Sequence, residues 1–331
     1  MGGDVLLVLV IVVALGFDFT NGFHDTANAV ATSVSTRALS PRMAVLIASG
    51  ANLAGAFVTT AVAKTVGSGI IDSGLATTTT VLAALLGAIA WNLLTWWWGL
   101  PSSSSHALIG GLVGAALAQS GSHGVQWHGL AHKVVIPGLV APALAFGAAF
   151  LLLVAIFWTI GRVLTPGIGN RGFRIGQLGS GTFMAFTHGA NDAQKTMGVI
   201  ALALLTHGSI SSFYIPTWVK ISAGLAIAAG TYAGGWRIMR TLGQRLYSIE
   251  PAAGFSSQST AGATIYLATH FGYPLSTTHV ISGAVIGAGA TKRLSAVRWG
   301  IAGNIVVAWV LTIPAAALVA AACYWPIAWI F

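Results

Sequence analysis

Apolar residues fill most of the chain, in long runs that short polar segments separate. A membrane-spanning helix needs about 20 apolar residues, because the hydrocarbon core is about 30 Å thick and a helix rises about 1.5 Å per residue. By this measure the first half predicts a helix at 4–36 broken near Asp18 to His24, a span at 42–64, an interrupted segment at 76–119 and a span at 134–162. The second half predicts the same order at 174–206 (again a broken helix), 215–240, 255–290 and 297–331.

Two polar motifs occur twice within these apolar surroundings. Residues 21–28, Asn-Gly-Phe-His-Asp-Thr-Ala-Asn, match residues 188–195, His-Gly-Ala-Asn-Asp-Ala-Gln-Lys, at an offset of 167 (192 minus 25). Residues 101–106, Pro-Ser-Ser-Ser-Ser-His, match residues 274–279, Pro-Leu-Ser-Thr-Thr-His, at an offset of 173 (279 minus 106). The chain therefore consists of two versions of one unit, residues 1–165 and 172–331.

Composition places the chain in the membrane. Hydrophobic residues make up 56% and charged residues 6%, and the mean hydropathy is +0.83, which leaves too few charges to cover a soluble surface. The formal charge of +9 comes from basic residues between the apolar runs, so it indicates membrane topology and not binding of nucleic acid. We expect an all-α, multi-pass protein of the plasma membrane.

The basic residues also test whether the two interrupted segments cross the membrane. If 76–119 and 255–290 are re-entrant hairpins, each unit has three full crossings, and the second unit is inverted relative to the first. Eleven of the fifteen basic residues then lie on one side, which should be cytoplasmic, and both termini lie outside. These eleven are Arg37, Arg42, Arg162, Arg171, Arg174, Arg237, Arg240, Arg245, Lys292, Arg293 and Arg298. The prediction is six full crossings and two re-entrant hairpins.

Each copy of the first motif places a carboxylate, Asp25 in one and Asp192 in the other, at membrane depth. A charge there is strongly unfavourable in free energy. Such a carboxylate needs a water-filled cavity, a proton or a cation. Nearby residues supply further oxygen and nitrogen atoms: Asn21, His24, Asn28, His188, Asn191 and Gln194. The alternative is a pair of buried polar networks that only join helices, and the duplication of the motif argues against it.

The second motif has the opposite polarity. Each copy starts a helix at a run of hydroxyl groups, and a helix N-terminus exposes free N–H groups and a partial positive charge. Such an end favours an oxyanion, although a serine there equally serves as an N-cap. If the anion lies near both carboxylates, cations must accompany it. Lys195 aligns with Asn28, and it either contacts the anion or forms an ion pair with Asp192 for helix packing.

These motifs resemble the inorganic phosphate transporter (PiT) family. The similar segments are 21–32, 187–198 and 274–279, and the similarity covers both units. The resemblance implies uptake of inorganic phosphate driven by sodium or protons, an inverted-repeat fold and a homodimer. Carried over by motif, the residues that would hold coupling cations or orient the site are Asp25, Asn28, Asn191 and Asp192. Those that would hold phosphate are Ser103, Ser104, Ser105, Ser276, Thr277 and Thr278.

The first motif departs from the family pattern in one way. Many sodium-coupled members have Gly-Ala-Asn-Asp in both repeats, whereas residues 22–25 here read Gly-Phe-His-Asp. With His24 at this position, the motif resembles that of the bacterial low-affinity branch of the family. Members of that branch take up phosphate with protons, often as a neutral divalent-metal complex. A histidine beside a carboxylate titrates near neutral pH or ligates a metal. We therefore expect proton coupling, with sodium coupling as the alternative and Asp25 and Asp192 as candidate metal ligands.

Two other classes are weaker interpretations. An anion channel would be lined by Lys and Arg instead of paired acidic motifs. An intramembrane hydrolase using Ser104, His106 and an aspartate would need one asymmetric catalytic arrangement, whereas here every element is duplicated. We expect a transporter that is not an enzyme and has no permanently bound cofactor.

Overall fold

The computed structural model describes residues 2–163 and 165–331, without the side chains of Gly2, Arg162 and Pro166. The predicted boundary at residues 1–165 includes Met1 and Leu164, which lie outside the described residues, as does the side chain of Arg162 in the topology argument. Within the described part the protein is helical, with one isolated bridge between Ile71 and Val125. The all-α prediction is confirmed.

The helices follow the predicted order. In the first half they are α1 (Gly2–Ser35), α2 (Pro41–Gly55), α3 (Ala61–Ser68), α4 (Thr78–Trp98), α5 (Ser104–Ser120), α6 (Trp127–Leu130) and α7 (Ile136–Val163). In the second half they are α8 (Pro166–Thr206), α9 (Thr217–Ala233), α10 (Trp236–Arg240), α11 (Pro251–His270), α12 (Thr277–Ala290) and α13 (Trp299–Ile330). A π-helical turn at Ala131–Val135 joins α6 to α7, and another at Thr241–Arg245 follows α10.

Among the described residues, four helical segments are long and apolar enough to cross a membrane. Three of them correspond to predicted spans: Gly3–Ser35, Trp127–Gly161 and Trp299–Ile330. The fourth, Thr78–Trp98, is the first arm of the segment predicted as a hairpin. The remaining predicted spans are either divided into shorter helices or, in α8, carry the polar motif.

The predicted breaks in the motif helices are wrong. Both α1 and α8 run without interruption through their polar residues, because those side chains bond mainly to other helices and leave the backbone ladder intact. The interruptions lie instead in the helices that pack against them. Residues 56–60 separate α2 from α3, and Gly234, with φ of +80°, separates α9 from α10 together with Gly235.

Glycine allows each motif helix to approach its partner closely. A Cβ on Gly22 of α1 would lie 2.4 Å from the carbonyl oxygen of Ile227 in α9. A Cβ on Gly189 of α8 would lie 2.1 Å from the carbonyl oxygen of Asn52 in α2. Small residues generally permit such backbone contact between helices in membranes. The aligned glycines therefore place both motif helices in the same kind of contact, each against the second helix of the other half.

The last helix of each half packs against the paired helices of the other half. Helix α7 contacts α11 and α12, whereas α13 contacts α4 and α5. The contacts use glycines at equivalent positions: Gly110 lies against Ile313 of α13, and Gly283 lies against Pro142 of α7. The two halves are therefore interlocked, although each repeats the order of the other.

Two apolar clusters flank the polar motifs. The first contains Val10 and Phe17 of α1 together with Ile200 of α8, and the second contains Val30 of α1 and Met184 of α8. Along both motif helices the polar residues therefore lie between the two clusters. This arrangement places the candidate site in the middle of the core.

The glycine contacts predict a sharp difference between two glycines of α1. Gly22→Ala should lower the free energy of unfolding by about 1–3 kcal/mol, because the added methyl group forces α1 away from α9. Gly16→Ala is the matched control, since its Cβ would meet nothing within 4 Å. Thermal unfolding of the purified protein in detergent measures both, and equal midpoints in the two variants would contradict the close approach.

Candidate ion and anion site

The hydroxyl-bearing starts of α5 and α12 meet at Asp25. The hydroxyl of Ser104 donates to Asp25 Oδ1 over 3.4 Å, and that of Thr278 donates to the same oxygen over 3.5 Å. Thr277 donates to Asp25 Oδ2 over 3.4 Å. The Asp25 carboxylate thus receives hydrogen bonds from both helix starts, and each half of the chain supplies one of these starts.

Local sequence explains why both helices begin at these points. Ser103 and Ser276 have extended backbones and occupy the N-cap positions of α5 and α12. Their hydroxyl oxygens accept from the backbone N–H groups of His106 and His279, at 3.1 and 3.2 Å. Capping by a serine side chain is a strong helix-start signal. Of each predicted hydroxyl triad, the first member thus serves as the cap, and the next two begin the helix.

His24 lies on one side of Asp25. Its Nδ1 is 2.7 Å from Asp25 Oδ1, and its Nε2 is 3.1 Å from the hydroxyl of Thr95 in α4. The hydroxyl of Ser102 lies 3.4 Å from the same Nε2 and donates to Thr95 over 2.8 Å. A buried chain of polar groups therefore joins Asp25, through His24, to α4 and the start of α5.

Asn28 and Lys195, which align between the repeats, both reach the helix starts. The Asn28 amide donates to Thr278 over 2.9 Å and to Thr277 over 3.3 Å. The Lys195 ammonium donates to Ser105, and to the carbonyl oxygen of Leu275 over 2.8 Å. Lys195 thus contacts α5 and the segment just before α12, whereas the Asn28 amide contacts the start of α12.

Asp192 is paired with this lysine and lies near a second histidine. Lys195 Nζ is 2.7 Å from Asp192 Oδ1, and His188 Nε2 is 3.6 Å from Asp192 Oδ2. His188 is held from its other side by Asn52 of α2, at 2.9 Å. One ligand atom from each of Asp25, His188 and Asp192 lies within 4.8 Å of the other two. Two carboxylates and an imidazole at this separation are a donor set that suits a cation.

Three predicted site residues lie outside this contact network. The Gln194 side-chain oxygen accepts from the backbone N–H groups of Val62 and Ala63 and so caps α3. Asn191 donates to Thr269 at 2.8 Å and to the carbonyl oxygen of Tyr273 at 3.0 Å. Asn21 is buried, and its amide makes no hydrogen bond with the described residues.

Asp18 is not among the site residues that the duplicated motifs predict. Asp18 is 0% exposed, and neither of its carboxylate oxygens has a hydrogen-bond partner among the described residues. The nearest polar groups are Asn21 and Thr196, and the charges that act on it include Asp192 and Lys195. The equivalent position in the second repeat is Ala185, so a search for duplicated polar residues passes over it. Its signal is a third acidic residue in an apolar run.

The whole site is closed. Asp25 is 2% exposed, Asp192 is 0% exposed, and Lys195 is 1% exposed. The hydroxyl-bearing residues from Ser102 to Ser105 and from Ser276 to Thr278 are equally buried. With an apolar cluster on either side, the structure represents a conformation in which the site opens to neither surface.

Comparison with known proteins agrees with this architecture. A model of the Phosphate transporter family matches residues 21–320. A probable low-affinity inorganic phosphate transporter of Rhizobium meliloti (strain 1021) is 51% identical over 321 residues, covering 96% of each chain. One of the same name from Mycobacterium tuberculosis (strain ATCC 25618 / H37Rv) is 52% identical and aligns over 96% of this chain and 77% of its own length.

A solved structure shares the fold as well. The protein named the sodium-dependent phosphate transporter superposes with a TM-score of 0.91 at 25% identity, covering 99% of this chain and 100% of its own. The resemblance drawn from the duplicated motifs is thereby confirmed, and the relatives are named as transporters and not as enzymes. This chain belongs to the phosphate transporter family.

Proposed function

We propose that the protein is a secondary symporter that imports inorganic phosphate together with protons. The observation that carries this proposal is the meeting of two hydroxyl-bearing helix starts at a buried carboxylate. The hydroxyl groups and helix ends favour an oxyanion, whereas Asp25 repels it. Both can be stabilised at one point only when a positive charge binds with the anion, and that requirement couples the two fluxes.

The phosphate ligands in this proposal are the four hydroxyls that begin the two helices. Ser104 and Thr277 are the first residues of α5 and α12, and Ser105 and Thr278 follow them. The caps Ser103 and Ser276 fix the turns that aim the free N–H groups of each helix. Lys195, which already donates to Ser105, supplies a positive charge next to the anion.

The coupling cation in this proposal is a proton shared between His24 and Asp25. Their 2.7 Å separation lets the pair hold a proton when phosphate is bound and release it when the site opens inward. Asn28 and Asn191 orient the neighbouring groups. The pair Asp25 and Asp192, with His188, also offers a place for the metal of a neutral metal–phosphate complex. Sodium is the alternative ion, supported by the name of the structural relative, the sodium-dependent phosphate transporter.

Alternating access follows from the repeated packing. We infer that the two halves are inverted repeats with six full crossings, re-entrant hairpins at α4–α5 and α11–α12, and both termini outside. The interlocked contacts of α7 and α13 support this arrangement, since each is the counterpart of the other. Separation of the first apolar cluster would open the site to one side, and separation of the second would open it to the other. The protein is proposed to act as a homodimer in the plasma membrane.

The carboxylate roles predict loss of coupled transport. Asp25→Asn and Asp192→Asn should each abolish gradient-driven phosphate uptake, because an amide neither binds the cation nor exchanges its proton. Insertion into the membrane should persist, since the substitutions are nearly isosteric. Glu250→Gln is the control: this surface carboxylate pairs with Lys292 at half exposure, and surface pairs contribute little. Wild-type uptake in either aspartate variant would remove these residues from the mechanism.

The hydroxyl roles predict a change in phosphate affinity. Ser104→Ala and Thr277→Val should each weaken phosphate binding by about 1.5–3 kcal/mol, the range for one lost hydrogen bond to a charged group. Ser256→Ala is a matched control, because that hydroxyl is also buried but donates to the carbonyl oxygen of Ala149. The apparent KM for phosphate in proteoliposomes measures all three. An unchanged KM in both site variants would contradict the proposed ligands.

The coupling ion predicts which gradient drives uptake. In proteoliposomes that contain the purified protein, an inward proton gradient should drive radiolabelled phosphate uptake in the absence of sodium. Added Mg²⁺ should stimulate uptake when the metal complex is the transported species. Uptake that follows a sodium gradient and ignores pH would replace the proton with sodium at the same carboxylates. Uptake that ignores both gradients would refute symport.

A further inference from the structure

Asp18 lies in a polar pocket that the contacts of the central site do not use. Its carboxylate, the amide of Asn21 and the hydroxyl of Thr196 are each at most 1% exposed. No side-chain oxygen or nitrogen of these three residues has a hydrogen-bond partner within the described ranges. Buried polar groups are nearly always satisfied, so several unsatisfied atoms in one place indicate a ligand.

The charges around this pocket do not balance. The core contains three buried carboxylates, Asp18, Asp25 and Asp192, and one buried ammonium, Lys195. The ammonium donates to Asp192, Ser105 and the Leu275 carbonyl oxygen, so its three donors are already used away from Asp18. An ionised carboxyl group without a positive partner is strongly disfavoured in an apolar interior. Asp18 therefore requires a cation of its own.

The ligand atoms identify the class of cation. The pocket offers two carboxylate oxygens, one amide oxygen from Asn21 and one hydroxyl oxygen from Thr196. Oxygen ligands suit hard cations, and transition metals prefer nitrogen or sulfur. One negative charge among otherwise neutral oxygens matches one positive charge. The chemistry of these atoms thus suits a sodium ion, or a proton on the carboxyl group with Asn21 and Thr196 as hydrogen-bond partners.

The pocket is also confined to one end of the core. Asp18 lies seven residues before Asp25, about 10 Å along a helix, next to Phe17 of the first apolar cluster. At the equivalent positions of the other repeat, Ala185 replaces Asp18 and Ala29 replaces Thr196. A cation held here accordingly lies nearer to the side of the first apolar cluster, and the second half offers no mirror-related position.

We propose that Asp18, Asn21 and Thr196 bind one monovalent cation, separate from the phosphate site, that is transported with each phosphate. This inference rests on the proposed symport and adds one charge to its stoichiometry. The charged groups facing the pocket, Asp192 and Lys195 from α8, couple its occupancy to the central site. With a cation bound at Asp18, the loaded protein carries one more positive charge than binding at the central carboxylates alone would give it.

The test is the charge moved per phosphate. In proteoliposomes, the reversal potential of phosphate flux gives this ratio under an imposed proton gradient and, separately, an imposed sodium gradient. Asp18→Asn should lower the ratio by one charge, while phosphate counterflow between equal concentrations persists. Asp4→Asn is the matched control, a 77% exposed carboxylate on the same helix, and it should leave the ratio unchanged. Dependence of the lost charge on the proton or the sodium gradient identifies the ion.

A second variant tests the pocket without altering charge. Thr196→Val keeps the shape of the side chain and removes one oxygen, so the cation concentration for half-maximal uptake should rise about fivefold. An unchanged ratio in Asp18→Asn, or an equal loss in Asp4→Asn, overturns the assignment; if Asp18→Asn does not fold, unchanged cation dependence in Thr196→Val overturns it. Absence of phosphate counterflow in the unmodified protein would instead refute the proposed symport itself.

Discussion

The cost of a buried charge is the constraint on which this structure depends. A chain with 6% charged residues nevertheless places three carboxylates and one ammonium in its core, where an unpaired charge is strongly unfavourable. The three carboxylates differ in the polar groups that surround them. Asp192 has Lys195, Asp25 has hydroxyl donors and His24, and Asp18 lies beside the neutral side chains of Asn21 and Thr196. The degree of neutralisation therefore differs at each carboxylate.

The same constraint explains why the site is duplicated but not symmetric. Aligned positions carry Asn28 in one half and Lys195 in the other, and both reach the helix starts. An amide supplies a hydrogen bond without charge, whereas an ammonium supplies both. Replacing one with the other shifts the central site by one charge while the backbone frame remains repeated. The side chains that differ between the two halves thus set the charge of the central site, and the repeated helices set its position.

The sequence was sufficient for the helix order, the two hydroxyl-bearing starts and the central residues Asp25 and Asp192. These features depend on local signals, such as Ser103 and Ser276 as caps, or on duplication. The breaks in the motif helices could not be predicted correctly, because a polar run in an apolar helix looks the same whether its side chains bond to their own backbone or to other helices. Gln194 looked like a ligand for a related reason, since its role as the cap of α3 depends on a contact 132 residues away. Asp18 was missed because duplication was the criterion.

The interlocked ends of the two halves also constrain how the chain reaches its final form. The first pair of helices, α4 and α5, rests against α13, and Gly110 contacts Ile313, about two hundred residues later in the chain. Contacts of such long range form late, because the intervening loop must close first. During synthesis α4 and α5 therefore keep their small-residue surface uncovered until α13 has been made. The packing that supports α5, which begins at the candidate site, is completed by α13.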